Sequence, residues 1–488
     1  MSYVFEGLKP ERFWKLFYEF NQIPRESKHE EQVAAWLVDF AKNLDLPVVQ
    51  DEVGNVLVRK PATPGYEKAP TVCMQGHMDM VCEKNKDVDH DFRKDPIKMK
   101  VEDGYVRAQG TTLGADNGVG VIAALLVMES KDLVHPPMEF LFTVDEETGL
   151  TGANALKPGF VTADILLNGD SEEDGVLFVG CAGGKDTHIT KEIAKVDAPA
   201  GKKALRFYIE GFKGGHSGLD IHKMRANAIV QLNRVLAALD EKFGVDLYFF
   251  EGGTKHNAIP REAECKFLAK AEDVAAIQAQ VAECEAVINA EYKLSENVAK
   301  LAVEELADYP AKVFAAEFKK TFMNLIKAIP HGVKQMSAAM PGVVETSTNL
   351  AIVKADEGLE ILTSQRSFVE SAKNELAAKV KATAELAGCK AEHHGGYPGW
   401  NPNPESKILK IMSQTYEELF GTKTESAAIH AGLECGIIGE TRPGMDMISY
   451  GPDIHNPHSP SEEVGIESVN KFWELTKETL KRIAAQGK

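Results

Sequence analysis

The stretch TVCMQGHMDMV, residues 71–81, begins like a buried β-strand and then contains two polar residues, His77 and Asp79. Because side chains alternate along a strand, these two side chains lie on the same face, where an imidazole and a carboxylate can hydrogen-bond. A carboxylate in that position is the usual support of a metal-bound histidine. Taken alone, the stretch is explained more simply by a core histidine with a satisfied hydrogen bond, so the interpretation depends on the rest of the chain.

The bulk properties exclude several classes of protein. With 488 residues the chain exceeds one comfortable hydrophobic core, which predicts two or three domains. The net charge of −18 argues against nucleic acid or an anionic membrane as partner. No apolar run approaches the roughly 18 residues of a membrane span, and the first residues do not resemble a signal peptide. The 7 cysteines are scattered without a CxxC pair, which is typical of a reducing compartment. We therefore expect a cytoplasmic protein.

Strand-like and helix-like segments alternate at both ends of the chain, which predicts an α/β catalytic domain with a mixed sheet flanked by helices. The pattern changes near residue 186 and returns near 399. The predicted organisation is therefore a catalytic domain from residues 1–186 and 399–488, with an α+β domain inserted at 187–398. Near the start, Ser27 and Glu30 have the spacing of a capping box and predict the beginning of a helix.

Further acidic and histidine residues follow apolar runs or lie in loops. They occur in GTTLGADNGVG (Asp116), FLFTVDEETG (Glu146 and Glu147), ILLNGDSEED (Asp170) and GPDIHNPHSPSEE (His455 and His458). Each has a plain alternative, since an aspartate can cap a helix and paired glutamates are often solvated. However, binding sites of α/β sheets form beyond the carboxyl ends of the strands. A mixture of histidines and carboxylates is also the ligand set that divalent metals such as zinc prefer.

The number of available ligands suits a dinuclear site. Two zinc ions about 3.5 Å apart need one bridging ligand and two terminal ligands each. One bridging carboxylate and four terminal ligands are available in the set His77, Asp116, Glu147, Asp170 and His458. Glu146 is then an acid beside the metals and is placed to act as a general base towards water.

These motifs, in this order, resemble those of the co-catalytic zinc exopeptidases of the aminoacylase-1 and carboxypeptidase G kind. The segments that carry the resemblance are GHMDM, GADNGVG, DEETG, NGDSEE and NPHSPSE, together with GGHSG and TKHNAIP in the inserted domain. The segments GHSGLDIHKMRANAI, ETSTNLA and AAIHAGLECG resemble the bacterial dipeptidases of that family more closely. The resemblance covers essentially the whole chain.

The resemblance implies a role for each matching residue. It assigns one metal to His77, Asp116 and Asp170, and the other to Asp116, Glu147 and His458. It makes Asp79 the residue that orients His77, and Glu146 the catalytic base. It also implies a cis peptide bond between Asp116 and Asn117. The cofactors it implies are two Zn²⁺ per subunit, and Mn²⁺ or Co²⁺ suits the same ligands. His455 matches no ligand.

The inserted domain is implied to serve as a lid and in dimerisation. There His216 resembles the histidine that meets the scissile carbonyl and stabilises the oxyanion. Asn257, Arg366 and Gly432 match substrate-binding positions, and an arginine suits a bidentate grip on a terminal carboxylate. The expected partners are a small peptide substrate and a second copy of the chain in a homodimer.

Together these inferences predict a dinuclear zinc peptidase that hydrolyses unblocked dipeptides, including those with C-terminal histidine such as β-alanyl-histidine. One alternative is an N-acyl amino acid deacylase on the same scaffold, because the same metals serve both reactions. A second alternative is a non-catalytic binding protein, which would be expected to have lost a ligand or the base.

Overall fold

The computed structural model describes residues 4–487, and the chain forms two compact units. The first unit comprises the chain up to Cys181, then Trp400–Ala428 and the chain from Leu433 onward. The second unit comprises Ala182–Gly399 and Ile429–Gly432. The sequence placed the insertion at 187–398, whereas the second unit begins at Ala182 and also takes in the short segment Ile429–Gly432.

The elements are numbered in chain order. The helices are α1 (Glu11–Phe20), α2 (Glu31–Asn43), α3 (Ala115–Glu129), α4 (Glu146–Gly149), α5 (Thr151–Ala155), α6 (Ala228–Phe243), α7 (Val274–Tyr292), α8 (Ala316–Ala328), α9 (Glu370–Leu386), α10 (Lys407–Phe420), α11 (Glu434–Thr441) and α12 (Ile466–Ala485). The strands are β1 (Val48–Gln50), β2 (Val56–Lys60), β3 (Val72–His77), β4 (Met99–Glu102), β5 (Tyr105–Ala108), β6 (Met138–Thr143), β7 (Ile165–Asn168), β8 (Val176–Cys181), β9 (Gly183–Glu192), β10 (Lys195–Asp197), β11 (Lys202–Glu210), β12 (Gly215–His216), β13 (Asp246–Gly252), β14 (Ala258–Ile259), β15 (Ala263–Lys270), β16 (Lys300–Glu305), β17 (Lys312–Phe314), β18 (Gly332–Met336), β19 (Val344–Ala355), β20 (Gly358–Ser367), β21 (Lys390–Tyr397), β22 (Glu425–Ile429), β23 (Asp446–Ser449), β24 (Ile454–His455) and β25 (Glu463–Gly465).

The first unit is built on an eight-stranded mixed sheet in the order β1-β2-β6-β3-β7-β23-β8-β22. The four strands β6, β3, β7 and β23 run parallel, and antiparallel strands flank them. Parallel strands are covered on both faces, which is why every residue of β3, β6 and β7 is buried rather than every second one. A smaller sheet of order β24-β25-β5-β4 completes the unit.

Helix α3 is apolar on almost its whole circumference, and nearly all of its residues are buried. Such a helix is stable only inside a core, and α3 packs against β3 and α1. Two glycines allow it to approach the end of β7, because a Cβ atom on Gly120 would lie 2.7 Å from the carbonyl oxygen of Gly169. The first turn of α3 is thereby brought to the edge of the sheet at which the parallel strands end.

The second unit contains one nine-stranded antiparallel sheet, in the order β16-β11-β15-β13-β19-β20-β9-β21 with β18 also paired to β19. Helices α6, α7 and α9 pack on it. Its core is separate from that of the first unit and is rich in phenylalanine, including Phe207, Phe250 and Phe267. Outside this sheet, β12 pairs with β14, which joins the GGHSG segment to the TKHNAIP segment.

The predicted α/β catalytic domain with a mixed sheet and an inserted α+β domain is confirmed. Within residues 4–487, no helix is both long enough and apolar enough to cross a bilayer. The predicted capping box is wrong. Helix α2 begins at Glu31 without a side-chain cap, and Ser27 instead donates a hydrogen bond to Asp79. Glu30 accepts hydrogen bonds from the backbone N–H groups of Lys28 and Asp145.

Candidate metal centre and substrate-binding residues

The parallel strands of the first unit bring the predicted ligands to one edge of the sheet. Strand β3 ends at His77, β6 ends shortly before Glu146 and Glu147, and β7 ends two residues before Asp170. Asp116 lies in the first turn of α3 at the same edge. Its peptide bond to Asn117 is cis, as the resemblance implied.

Two ligand groups share Asp116. The Nε2 atom of His77 lies 3.0 Å from Oδ1 of Asp116 and 3.3 Å from Oδ1 of Asp170. The Nε2 atom of His458 lies 3.0 Å from Oδ2 of Asp116 and 3.1 Å from Oε2 of Glu147. Within each group the ligand atoms lie within 4.8 Å of one another. Each oxygen of Asp116 therefore faces a different histidine, as expected of a carboxylate that bridges two cations.

Asp79 supports both the histidine and the glutamates. Its Oδ1 atom lies 3.2 Å from Nδ1 of His77, on the side of the ring away from the cluster. Its carboxylate also accepts hydrogen bonds from the backbone N–H groups of Glu146, at 3.1 Å, and Glu147, at 3.3 Å. Asp79 is fully buried, and these contacts hold its carboxylate between the His77 ring and the turn that carries the glutamates.

Negative charge dominates the cluster. Burial raises the pKa of Asp170 to about 6, and the charges of Asp116 and Glu147 add to that effect. Burial also raises the pKa of Glu146 well above its usual range, with help from Asp170 and Glu434. Conversely, hydrogen bonds to Asp116 and Glu147 raise the pKa of His458 to about 11. Every one of these shifts indicates a site that favours added positive charge.

The donor atoms fit divalent cations. Imidazole nitrogens and carboxylate oxygens converge here, and within residues 4–487 the ion pairs of Asp116, Glu147 and Asp170 are with histidines alone. The Oε1 atom of Glu147 is buried and has no hydrogen-bond partner among the described residues, which is costly unless a cation faces it. The second oxygen of the same carboxylate is the one that faces His458.

Two further groups of possible ligands lie nearby. His77, Glu146 and Glu147 form one, so that Glu146 also stands within reach of a cation. The other consists of the buried carboxylates Glu30, Asp79 and Asp145. Hydrogen bonds from backbone N–H groups and hydroxyl groups already occupy at least one oxygen of each carboxylate in this last group. It therefore serves as support for the turn that carries the glutamates.

In the second unit, His216 lies at the end of the short strand β12. Its Nδ1 atom accepts hydrogen bonds from the backbone N–H groups of Gly218, at 3.2 Å, and Leu219, at 3.0 Å. The proton of the neutral ring therefore lies on Nε2. Burial and the charge of Arg366 lower the pKa of His216 to about 4, so the ring is a neutral donor near pH 7.

Arg366 is 6% exposed, and its guanidinium donates a hydrogen bond to the hydroxyl of Tyr397 at 2.9 Å. Its Nε atom is buried without a hydrogen-bond partner, and within residues 4–487 no carboxylate forms an ion pair with it. Gly432 lies against the ring of Tyr397. A buried cation without a counter-ion is a ready site for an anion.

Asn257 is exposed, and its backbone carbonyl accepts a hydrogen bond from the N–H of Ser217 at 2.8 Å. His455 stands apart from the cluster, because its Nδ1 atom pairs with Oε1 of Glu463 at 3.0 Å. The predicted metal ligands, Asp79 and Glu146 thus meet in the first unit, and His216, Asn257, Arg366 and Gly432 belong to the second unit.

Sequence reasoning missed three buried charged residues of the first unit, Arg25, Glu434 and Glu462. Glu434 accepts hydrogen bonds from Gln75 and from the hydroxyl of Thr143, and burial raises its pKa to about 7. Glu462 lies in the quoted motif NPHSPSE, so its distance of four residues from His458 was the available signal. Arg25 follows a proline in a loop and gave no signal.

Comparison with known proteins agrees with this geometry. The chain is 42% identical over 480 residues to the cytosol non-specific dipeptidase of Escherichia coli (strain K12), covering 98% of this chain and 99% of the relative. The crystal structure of aminoacylhistidine dipeptidase from Vibrio alginolyticus superposes with a TM-score of 0.91 at 41% identity, covering 98% of this chain and 97% of that one. Aminopeptidase PepT from Bacillus cereus, with a TM-score of 0.56 and 19% identity over 98% of this chain and 99% of its own, shares the fold.

The family model of peptidase family M20/M25/M40 matches residues 73–482. That span begins in β3, just before His77, and ends in α12, beyond His458, so it includes every residue of the two ligand groups. The same span contains the whole second unit. The chain therefore belongs to peptidase family M20/M25/M40.

Proposed function

We propose that this protein is a dinuclear metal-dependent dipeptidase that hydrolyses unblocked dipeptides, including those with C-terminal histidine such as β-alanyl-histidine. The observation that carries the proposal is the pair of ligand groups that share Asp116, with Glu146 beside them. The names of two relatives that are 42% and 41% identical to this chain, a cytosol non-specific dipeptidase and an aminoacylhistidine dipeptidase, support the substrate class.

The residues that would hold the two cations are His77 and Asp170 on one side, Glu147 and His458 on the other, and Asp116 between them. Two Zn²⁺ suit this set of nitrogen and carboxylate ligands, and Mn²⁺ or Co²⁺ suits it as well. When bound, the cations would supply Lewis acidity, which makes water a stronger acid and polarises the scissile carbonyl.

Glu146 would take a proton from the attacking water and return it to the leaving amine. Its location in a buried, carboxylate-rich site raises its pKa towards the range in which a carboxylate can do both near neutral pH. Asp79 would hold the turn that carries Glu146, through its hydrogen bond to that residue's N–H group.

The second unit would supply recognition of the substrate. His216 would donate its Nε2 proton to the oxyanion of the tetrahedral state, which requires the neutral tautomer that its hydrogen bonds favour. Arg366 would bind the terminal carboxylate of the dipeptide, with Asn257 and the backbone at Gly432 as further contacts. A bidentate grip on that carboxylate would favour substrates with a free C-terminus.

The proposal is tested by incubating the zinc-loaded protein with β-alanyl-histidine, several α-dipeptides, a tripeptide and an N-acetyl amino acid. Hydrolysis of the dipeptides alone, abolished by a chelator and restored by Zn²⁺, is the expected result. Hydrolysis of the acetylated substrate alone would be consistent with the metal centre, but it would indicate an N-acyl amino acid deacylase rather than a dipeptidase. Hydrolysis that persists after complete removal of metal would contradict the proposal.

Two further properties belong to the same proposal, a homodimer with two-fold symmetry and a cytoplasmic location. Closed two-fold dimers are the commonest oligomers of enzymes, and the name of the Escherichia coli relative places that protein in the cytosol. Sedimentation velocity at micromolar concentration would test the dimer. A single species with the mass of one 53.4 kDa chain would contradict it.

A further inference from the structure

Glu462 binds the backbone of the turn that carries Asp116. Its Oε2 atom accepts hydrogen bonds from the N–H groups of Leu113 at 2.7 Å and Gly114 at 3.0 Å. Its Oε1 atom accepts from Ala115 at 2.7 Å and Asp116 at 3.3 Å. One carboxylate thus satisfies four consecutive N–H groups, two of them in the turn before α3 and two in its first turn, where a helix leaves its N–H groups without partners.

Arg25 binds the same turn as a hydrogen-bond donor, whereas Glu462 binds it as an acceptor. Its Nη2 atom donates to the carbonyl oxygen of Gly114 at 2.6 Å, and its Nη1 atom donates to the carbonyl oxygen of Asp79 at 2.8 Å. The fit is close, because a Cβ atom on Gly114 would lie 2.1 Å from Nη2, and Gly114 has a φ of 70°. One guanidinium therefore joins the end of β3 to the turn before α3.

Both side chains are buried, with 2% exposure each. Burial lowers the pKa of Arg25 to about 10, and the charge of Glu462 opposes that shift. Neither residue is among the groups that could hold a metal ion in the described part of the chain. Buried charges of this kind are costly, so hydrogen bonds to well-placed partners must offset their desolvation.

Glu462 also fixes the loop of His458. Its own N–H donates to the carbonyl oxygen of Ser459 at 3.0 Å, which closes a turn directly after His458. His458 has a φ of 60°, a left-handed conformation that a histidine keeps only when its surroundings hold it. The residue that binds the Asp116 turn thus also anchors the segment that presents the second histidine.

We propose that Arg25 and Glu462 are positioning residues that lock three separate segments, those of His77, Asp116 and His458, into the spacing that two cations require. We call this pair the Arg25–Glu462 brace. The inference rests on the proposed dinuclear centre, and it assigns a role to two residues that lie outside both ligand groups. Partners of metal ligands typically change metal affinity or activity by roughly 10- to 100-fold when they are removed.

Glu462→Gln is the sharpest test because it preserves volume and changes only polarity. A glutamine must direct its NH₂ group at one of the two pairs of backbone N–H donors, where no acceptor exists. Titration with Co²⁺, followed by calorimetry and by visible absorption, is expected to show at least one of two sites weakened by roughly 10-fold or more, with an altered absorption band. Hydrogen exchange of the 113–116 amides is expected to accelerate.

Glu463→Gln is the matched control. Glu463 is the next residue along the chain, but it pairs with Arg107 and His455 rather than with the Asp116 turn. Its variant is expected to bind two Co²⁺ with the wild-type affinity and absorption band.

Arg25→Lys is the second variant, and it keeps the proposal testable if Glu462→Gln fails to fold. Lysine retains the charge but cannot reach two carbonyl groups in the guanidinium geometry. It is expected to weaken Co²⁺ binding in the same direction, with a circular dichroism spectrum like that of the wild type.

The possible outcomes distinguish a failure of the Arg25–Glu462 brace from a failure of the proposed function. Wild-type affinity and absorption in both variants would overturn the brace and leave the dinuclear centre standing. Absence of Co²⁺ binding by the wild-type protein would overturn the proposed function, and with it the positioning role.

Discussion

The histidines of the two units lie in opposite electrostatic surroundings. In the first unit, His458 stands between two carboxylates, and its pKa is raised to about 11. In the second unit, burial together with the charge of Arg366 lowers the pKa of His216 to about 4 and that of His430 to about 3. The same side chain thus meets an excess of negative charge in one unit and a cation in the other.

This difference separates two tasks that a dipeptidase needs. A cluster that favours positive charge is suited to hold metal ions, whereas neutral imidazoles beside a buried guanidinium are suited to bind an anion. His430 illustrates the second case, because its Nε2 atom hydrogen-bonds the hydroxyl of Ser347 at 2.7 Å and its ring is buried against Phe368.

The largest effect is expected from Asp116→Ala, since both ligand groups lose their shared carboxylate. We expect metal content, measured by inductively coupled plasma mass spectrometry, to fall below one ion per chain and dipeptide turnover to disappear. Asp132→Ala, which removes an exposed aspartate of the same unit, is the control and should retain both. Full metal content in Asp116→Ala would show that the cluster is not the metal centre.

Glu146→Gln tests whether Glu146 acts as a general base or as a metal ligand. Loss of a general base typically lowers kcat by about 10²- to 10⁴-fold, and the variant should still bind two metal ions. Glu173→Gln, at an exposed glutamate of the same unit, should leave kcat unchanged. Turnover at the wild-type rate would refute the base assignment, and loss of one metal ion would instead make Glu146 a ligand.

Arg366→Lys tests the anion site of the second unit. Replacing the guanidinium removes part of a charge-assisted contact and should raise KM roughly 10- to 100-fold, with a smaller change in kcat. A dipeptide amide, which lacks the terminal carboxylate, should bind wild type and variant equally poorly. Arg261→Lys, at an exposed arginine, is the control. An equal loss for the acid and the amide would argue that Arg366 does not contact the carboxylate.

The smallest effect concerns stability and pH. The folded pKa of His430 is about 3, below the value of about 6.5 in an unfolded chain. As the pH falls below 6.5, the unfolded state takes up a proton that the folded state does not. The free energy of unfolding should therefore fall by about 2 kcal/mol between pH 6.5 and pH 5 through this residue alone.

Denaturant titrations at both pH values measure this dependence on pH. His430→Gln should reduce it, whereas His394→Gln, at an exposed histidine of the same unit, should not. If wild type and His430→Gln lose the same stability on acidification, groups other than His430 cause the dependence of the free energy of unfolding on pH.

The fold and the location of three of the predicted ligands were predictable because each of the three follows a local signal. A buried parallel strand is mostly apolar without alternation, and His77, Glu147 and Asp170 lie at or shortly after the ends of three such strands. Parallel pairing then brings these ends to one edge of the sheet, whatever the detailed packing.

The supporting contacts could not be predicted in the same way, because they depend on partners that are distant in sequence. Ser27 and Glu30 read locally as a capping box, yet their side chains bind Asp79 and the N–H of Asp145, 52 and 115 residues away. Arg25 and Glu462 bind backbone groups, which leave no pattern in the sequence. Only the tertiary structure brings these partners together.

We expect the first unit to hold two divalent cations that share Asp116. Anomalous X-ray diffraction from crystals of the zinc-loaded protein, collected on both sides of the zinc absorption edge, tests it most directly. We expect two peaks, one between His77 and Asp170 and the other between Glu147 and His458, each also adjacent to Asp116. A single peak, or peaks that lie away from Asp116, would contradict it.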